Sequence, residues 1–343
     1  MKISIAIPQY NRVEFLLKNL ERLSAQTYPD IEVVISDDAS SDDTEARINA
    51  LIGQYRYPLV YFRHPKNVGY DANLRKSMEL CSGDYCFILG NDDALNAPDD
   101  IAHLVNFLEA HQRPEIGFCN FVEEADLSQV NRRAAQTAVL GAGPDLALKY
   151  HKSFSFVAGL IFRRDVFLQA NTDRFDGSIY VQIYLATLII ARGGRLFTLE
   201  RPMVLKDLQI GGERANSYRE KLARHWRDLR PTDSGLPQVV RVAVEGLRDA
   251  GFDAGAYAAA VVKKIYTQTY PFWLLDFRRN GAFVAACGLC WGLHPGKFAA
   301  LGLSSLNTVK MWGYYGVFTL IGLFTPLFLF NRLQHKIYAR LKR

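Results

Sequence analysis

Acidic residues stop at Asp276, and none occurs in the remainder of the 343-residue chain. Nine basic residues lie in that remainder: Arg278, Arg279, Lys297, Lys310, Arg332, Lys336, Arg340, Lys342 and Arg343. The net charge of +6 therefore belongs to the C-terminus, because 32 basic side chains face 35 acidic ones before it. A slightly acidic body excludes a general nucleic-acid binder, and a basic tail points to a local anionic partner, a phospholipid surface first. Cysteine is scarce: five, an odd number, at 81, 86, 119, 287 and 290. With no signal-peptide pattern ahead of the first strand, that usage fits a reducing cytoplasm. Cys287 and Cys290 form a C-x-x-C inside the apolar run 281–293. No second pair or histidine cluster completes a zinc site, so packing is their expected role. Also missing are G-x-G-x-x-G after the first strand and G-x-x-x-x-G-K-[ST] anywhere, which removes the phosphate cradles of dinucleotide dehydrogenases and P-loop enzymes.

What is present in the first 120 residues is an alternation of short apolar runs and helical patterns. Residues 3–7, 31–35, 59–62 and 85–89 predict buried strands. Phe15, Leu16, Leu20 and Leu23 recur at helical spacing after the first. Asp42 and Asp43 can cap a helix after the second, and residues 72–80 predict a third helix. Strands apolar on both faces, alternating with helices, imply an α/β fold with a parallel sheet covered by helices. Such sheets bind ligands beyond the carboxyl ends of their strands. Each strand here empties into a polar cluster at that edge: Pro8, Tyr10 and Asn11; then Asp37, Asp38 and Ser40; then Asn67 and Gly69; then Asn91, Asp92 and Asp93. One cluster alone reads as turn formers and caps; four at one edge read as a crevice. Adjacent carboxylates repel unless they are given a cation, hydrogen bonds or open water. Asp92 and Asp93 are the expected ligands of a magnesium or manganese ion that neutralises a diphosphate.

The stretches SIAIPQYNR (4–12), VVISDDASSDDT (33–44), NVGYDANLRKSMELCSGDYCFILGNDDAL (67–95) and GLIFRRDVF (159–167) resemble the nucleotide-sugar glycosyltransferases of family 2. These have the GT-A fold, a Rossmann-like, mostly parallel sheet flanked by helices. The run GDYCFILGNDDAL is similar in particular to bacterial abequosyltransferases and related O-antigen enzymes. The resemblance implies that Pro8, Tyr10, Asn11, Asp37 and Asp38 hold the base and ribose, with Asn91 beside them. It places Asn67 and Gly69 in the loop that closes over the nucleotide, and makes Asp92 and Asp93 the last two carboxylates of a D-x-D-D metal signature. The leading aspartate of that signature is Gly90 here, which makes dependence on the metal a question. Arg214, in GGERANS, is expected to swing over the diphosphate after donor binding. Arg163 and Arg164 are suited to phosphate, although solvated surface is the expected role of at least one. An inverting member needs a carboxylate to deprotonate the acceptor hydroxyl, usually from a Glu-Asp pair. In RFDGSIYVQIYLATLIIARGG (174–194) Tyr180, Val181 and Gln182 stand there instead. Asp176 is the candidate base, set against a role in shaping the turn before Gly177.

The chain reads as a catalytic domain at 1–215, a helical connector at 216–276 and membrane-associating helices at 277–343. Residues 311–331 carry no charge, lie between Lys310 and Arg332, and have Trp312, Tyr314 and Tyr315 at one end and Phe328 and Phe330 at the other. That length would cross a hydrocarbon core of about 30 Å, with a buried hairpin as the alternative. Nucleotide sugars and the basic tail both belong on the inside, so a single crossing does not serve. A second crossing at 281–303, a re-entrant path or an interfacial placement would. NRLQHKIYARLKR (331–343) places Leu333, Ile337 and Leu341 on one helical face beside Arg332, Lys336 and Arg340, the pattern of an interfacial amphipathic helix. The expected protein is a metal-assisted, inverting hexosyl- or deoxyhexosyltransferase using Mn2+ or Mg2+. It would move one sugar from a nucleotide diphosphate sugar to a polyprenyl-diphosphate-linked saccharide in O-antigen-like lipopolysaccharide biosynthesis, at the cytoplasmic face of the bacterial inner membrane. No nucleic-acid partner is expected, and a homo-oligomer is compatible. The alternatives are a polyprenyl-phosphate sugar synthase and a non-catalytic nucleotide-sugar-binding scaffold.

Overall fold

The computed structural model describes residues 1–215 and 235–332. The chain divides into two compact units, Met1–Gly177 with Leu185–Ala215, and Ser178–Tyr184 with Asn216–Arg343. The connector and the C-terminal helices, separate in the sequence reading, fall in the second unit together. The stretch 333–343, expected to form an interfacial helix, lies outside the described residues.

The first unit opens with β1 (Ile3–Gln9), α1 (Val13–Ser24), β2 (Ile31–Asp37), α2 (Thr44–Leu51), β3 (Leu59–Arg63), α3 (Tyr70–Glu79) and β4 (Tyr85–Ile88). β1, β2 and β3 run past their apolar stretches because the parallel ladder continues under the polar loops, with Gln9 opposite Asp37 and Asp37 opposite Arg63. Ile3, Ile5 and Ile7 of β1 cluster with Leu16, Leu20 and Leu23 of α1, all buried. Burying each such side chain stabilises the unit by roughly 1.5–3 kcal/mol. Asp42 starts two helices at once: one carboxylate oxygen accepts from Val13 N–H at 3.0 Å, the other from Thr44 N–H at 3.1 Å.

Beyond β4 the unit continues through β5 (Ala94–Leu95), α4 (Asp100–Ala110), β6 (Ile116–Glu123), β7 (Asp126–Asn131), β8 (Ala138–Gly141), α5 (Pro144–Tyr150), β9 (Leu160–Arg163) and α6 (Arg164–Ala170). α7 (Val181–Ala191) leads to β10 (Leu196–Lys206), and β11 (Gln209–Ile210) and β12 (Glu213–Arg214) form a small hairpin. Among the described residues the main sheet has the order β3-β2-β1-β4-β9-β6-β10-β5, with β7 on β6 and β8 on β10. Only β3-β2-β1-β4 and the pair β6-β10 are parallel. β9 enters antiparallel between β4 and β6, so the expected mostly parallel sheet is a mixed one. Helices flank it, and the polar loops expected to form the crevice follow strands of the parallel half.

The second unit is helical: α8 (Leu236–Asp249), α9 (Ala254–Lys264), a π-turn (Ile265–Thr269), α10 (Tyr270–Arg279), α11 (Phe283–Gly292), a 3-10 stretch (Pro295–Leu301) and α12 (Ser305–Phe324). α12 packs on α10 through one face. Tyr315 stacks on Tyr270 with ring centroids 6.2 Å apart, Thr319 Oγ1 meets the Tyr270 hydroxyl at 2.7 Å, and Gly322 lies so close to Leu274 that an added Cβ would come within 2.4 Å of it. Arg278 closes the C-terminal end by donating to Gly322 O at 2.8 Å and Thr325 O at 2.9 Å, a cation at the negative end of the helix. α12 stops before Thr325 and Pro326, because proline cannot continue the hydrogen-bond ladder. The expected crossing at 311–331 is therefore not one helix. Among the described residues no helix is long and apolar enough to cross a membrane.

Candidate active site

The last residue of β1, Gln9, is fully buried and joins the polar loops. Its side-chain amide donates to Asn11 O at 2.6 Å and Thr44 Oγ1 at 3.0 Å, and its Oε1 accepts from Asn91 Nδ2 at 2.8 Å. Its backbone oxygen accepts from Asp38 N–H at 2.9 Å and Asn73 Nδ2 at 3.0 Å. Sequence reasoning named its neighbours Pro8, Tyr10 and Asn11 and passed over Gln9. The available signal was a polar side chain at the end of a strand otherwise buried on both faces. Pro8 is half-buried within β1. Asn11 adopts a left-handed backbone with φ 53° and accepts from Ser41 N–H at 2.9 Å. Tyr10 stands 47% exposed.

Asp37 and Asp38 are buried, and their carboxylates are spent on the protein. Asp37 accepts from Ser40 N–H at 3.0 Å, from the Ser40 hydroxyl and from the Tyr61 hydroxyl at 2.7 Å. Burial, with the hydrogen bond to Asp37 added to it, drives the Tyr61 phenol well above its usual range. Asp38 accepts from Val68 N–H at 2.6 Å and Gly69 N–H at 3.1 Å, and Asn67 Nδ2 reaches Asp38 O at 3.4 Å. Two aspartates thus fix the loops after β2 and β3, and Gly69, at φ 89°, supplies the turn into α3.

The third loop carries the paired carboxylates, and they differ. Asp93 is 4% exposed, and its Oδ1 accepts from Asp207 N–H at 3.0 Å. Burial, and then the charge of Asp92, push its carboxyl well above the usual range. Asp92 keeps 21% of its side chain exposed and pairs with Arg12, Nη1 to Oδ2, at 2.7 Å. Burial raises its carboxyl too, while Arg12 pulls it back. Asp207, bonded to Lys206, faces Arg214 at 4.0 Å. Arg12, Lys206 and Asp207 are site residues that sequence reasoning missed; Arg12 follows Asn11 directly, but a lone arginine in a turn carries no signal of its partner. Gly90 also has a local reason. A Cβ there would lie 2.5 Å from Asp93 Oδ2 and 3.3 Å from Asp92 Oδ1, so an aspartate would force Asp93 to turn. Buried Asn19 holds the same loop through Gly90 O at 3.1 Å.

Among the described residues no group of three or more His, Cys, Asp or Glu side chains is placed to hold a metal ion. The donor set still suits one kind of site. Magnesium is commonly bound by one or two carboxylates, substrate phosphates and water, and Asp92 offers the partly exposed carboxylate such a site needs. Beside it, Asp93 gives Oδ1 to the Asp207 amide and has Oδ2 on the side of Gly90.

The remaining expected residues stand elsewhere. Asp176 has both oxygens bound by Arg75, Nε at 2.9 Å and Nη2 at 2.6 Å. A base needs a lone pair turned to the acceptor, and a role of Asp176 as base would have to share its oxygens with this ion pair. Gln182 is 2% exposed. Arg163 sits opposite Tyr85 at the amino end of β4, away from Asn91–Asp93, and binds Glu115 at 2.6 Å and Asp165 at 2.8 Å. Arg164 donates to Cys81 O. Arg214 lies on β12 and is half exposed.

Residues 4–169 match the family model for Glycosyl transferase family 2. The chain is 31% identical over 226 residues to abequosyltransferase RfbV of Salmonella typhimurium, a match covering 60% of this chain and 66% of that protein. It is 28% identical over 130 residues, 37% of this chain, to the GalNAc(5)-diNAcBac-PP-undecaprenol beta-1,3-glucosyltransferase of Campylobacter jejuni, and covers 41% of it. The chain thus spans just under two thirds of the first of these relatives and well under half of the second. In fold it is similar to S. aureus TarS 1-349 in complex with UDP-GlcNAc, with a TM-score of 0.60 at 15% identity over 99% of this chain and 92% of that one. It is also similar to the mannosyltransferase PcManGT from Pyrobaculum calidifontis in complex with GDP-Man and Mn2+, with a TM-score of 0.51 at 17% identity over 94% and 87%.

Proposed function

We propose that the chain, whose residues 4–169 match the family model for glycosyl transferase family 2, belongs to that family and moves one sugar from a nucleoside diphosphate sugar to a polyprenyl-diphosphate-linked saccharide. The setting is bacterial O-antigen-like polysaccharide assembly at the cytoplasmic face of the inner membrane. The observation that carries this is the convergence on Gln9 of the loops holding Asn11, Asp38 and Asn91, next to the partly exposed carboxylate of Asp92. The names of the Salmonella and Campylobacter relatives support the acceptor class, and the nucleotide-sugar complexes of the two fold neighbours support the donor class.

Tyr10 offers an exposed ring for the base. Asp37, Asp38, Asn67 and Gly69 act by shaping the loops that meet the nucleoside, and Asn91 fixes the loop that presents Asp92. Asp92 would hold Mg2+ or Mn2+, which when bound supplies positive charge to the diphosphate as it departs. Arg12 and Arg214 are the cationic side chains placed to follow that charge. Attack by an acceptor hydroxyl from the opposite face, its proton passing to an acidic side chain or a bound water as the nucleoside diphosphate leaves, gives inversion.

A second assignment is transfer to polyprenyl phosphate. One observation favours it: Arg75 engages both oxygens of Asp176, and a phosphate nucleophile needs no base. Incubation of the purified chain with nucleotide sugars, Mn2+ and bacterial lipid extract tests both. A lengthened saccharide on a lipid diphosphate supports the first, and a sugar joined to a lipid monophosphate supports the second. Nucleotide-sugar binding without release of nucleoside diphosphate would overturn both in favour of a scaffold.

A further inference from the structure

α12 is apolar around most of its circumference, and among the described residues it packs through one face. The inner face carries Met311, Tyr315, Thr319 and Gly322. The outer one carries Leu306, Val309, Val317, Leu320 and Phe324, and Phe328 follows beyond the helix end. Four of these, Leu306, Val309, Phe324 and Phe328, are 64–75% exposed. With Trp312, also exposed, these positions recur every three to five residues along Ser305–Phe324, a length of about 30 Å at 1.5 Å per residue. Phe283, Val284 and Trp291 of α11 are exposed as well. Exposed apolar surface on this scale marks an interaction face.

Charge and aromatic placement identify the occupant. No carboxylate follows Asp276 in the sequence, while Lys297, Lys310 and Arg332 are exposed on the same stretch. Trp291, His294 and Trp312 form one cluster, with His294 centred 5.8 Å from Trp291 and 5.0 Å from Trp312, and Lys297 lies 5.4 Å over the Trp291 ring. Indole rings backed by a lysine are the groups that settle at the headgroup level of a bilayer. Lys297 also lines a cavity of about 380 Å3 with Arg241, Glu245, Phe298 and Leu301, which combines charged and apolar walls. Because apolar exposure runs the length of α12, the helix axis must lie parallel to the surface it meets.

We propose that α11 and α12 dock in the plane of a single anionic phospholipid leaflet. Leu320 and Phe324 enter the acyl region, Trp291 and Trp312 sit among the headgroups, and Lys297, Lys310 and Arg332 take lipid phosphates. An interfacial helix of this kind is buried to a depth of about 5–10 Å. The proposal deepens the lipid-acceptor assignment and rests on it for its purpose, that of holding the chain where a lipid-borne saccharide is found.

The test is sedimentation of the purified full chain with vesicles of phosphatidylcholine alone or mixed with phosphatidylglycerol, without donor or acceptor. The expected result is co-sedimentation that needs phosphatidylglycerol, weakens with salt, and brings a blue shift of tryptophan emission. Leu320→Ser with Phe324→Ser should cut partitioning at least tenfold while unfolding temperature and nucleotide binding stay unchanged, since the two side chains are exposed. Lys297→Ala with Lys310→Ala should remove the preference for phosphatidylglycerol. Equal binding to both lipids, or no binding, would overturn the proposal. So would a concentration-dependent dimer that the Ser substitutions dissolve, because a second copy would then be the occupant. Transfer to a detergent-dispersed acceptor separates the two levels. Vesicle binding without transfer counts against the acceptor assignment alone, and transfer without vesicle binding counts against the docking alone.

Discussion

Arg12 occupies the carboxylate that a divalent ion would use. Its guanidinium pairs with Asp92 at 2.7 Å across partly exposed side chains, so ion and arginine compete. A pair of this exposure is worth up to about 1 kcal/mol, roughly fivefold in affinity. Arg12→Ala should therefore tighten Mn2+ binding severalfold in the absence of nucleotide, read by calorimetry or Mn2+ resonance; unchanged or weaker binding would show that Arg12 is no competitor. At the opposite edge of the sheet Glu32 sets an acid limit. Burial opposes its charge, but hydrogen bonds from Lys2, Ser4 and Ser82 outweigh burial and hold its carboxyl down at about 2. A depressed carboxyl stabilises the fold above its unfolded value of 4.5, and that stability is lost as pH falls through about 2. The contribution is about 3 kcal/mol. Glu32→Gln should lower stability at neutral pH and flatten its fall below pH 4.5 in denaturant titrations; an unchanged acid profile would contradict this account.

Elements were legible where one signal sufficed. β1 to β4 stand out because each is a short run apolar on both faces with a polar cluster after it, although β3, at the edge of the sheet, buries none of its residues, contrary to the expected buried strand. Sequence order hides β9, whose antiparallel insertion between β4 and β6 is settled by long-range pairing. The site was legible as a set of loops, but not as a wiring. Nothing local says that Asp38 is spent on Val68 and Gly69, that Gln9 ties Asn91 to Asn11, or that Arg12 reaches Asp92, because each partner is distant in the chain. α12 misled for a related reason. Hydropathy reports an uncharged run, while Pro326 and the packing of Gly322 on Leu274 decide where the helix ends and which face is covered. Asp176 tests the same lesson. Held by Arg75 ahead of α7, it should serve structure, so Asp176→Asn should lower the unfolding temperature and leave kcat within about tenfold. A loss of the 10²–10⁴-fold associated with a missing base would restore it to catalysis.

At the scale of the whole molecule, charge and apolar surface are divided between the two units. The first holds the stretch that matches the family 2 model and polar loops whose carboxylates are offset by Arg12, Lys206 and Arg214. The second holds the exposed face of α12 and the beginning of the basic tail. This division fits an enzyme that draws one substrate from water and the other from a lipid surface. The most direct measurement is release of nucleoside diphosphate from a panel of nucleotide sugars, with and without bacterial lipid extract and with and without Mn2+, comparing the natural chain with Asp92→Ala. The account predicts release that needs both lipid and metal and falls at least a hundredfold in Asp92→Ala, since losing the ion removes several kcal/mol of charge stabilisation. Release that is undiminished in Asp92→Ala, or no release from any donor that the crevice binds, would contradict it.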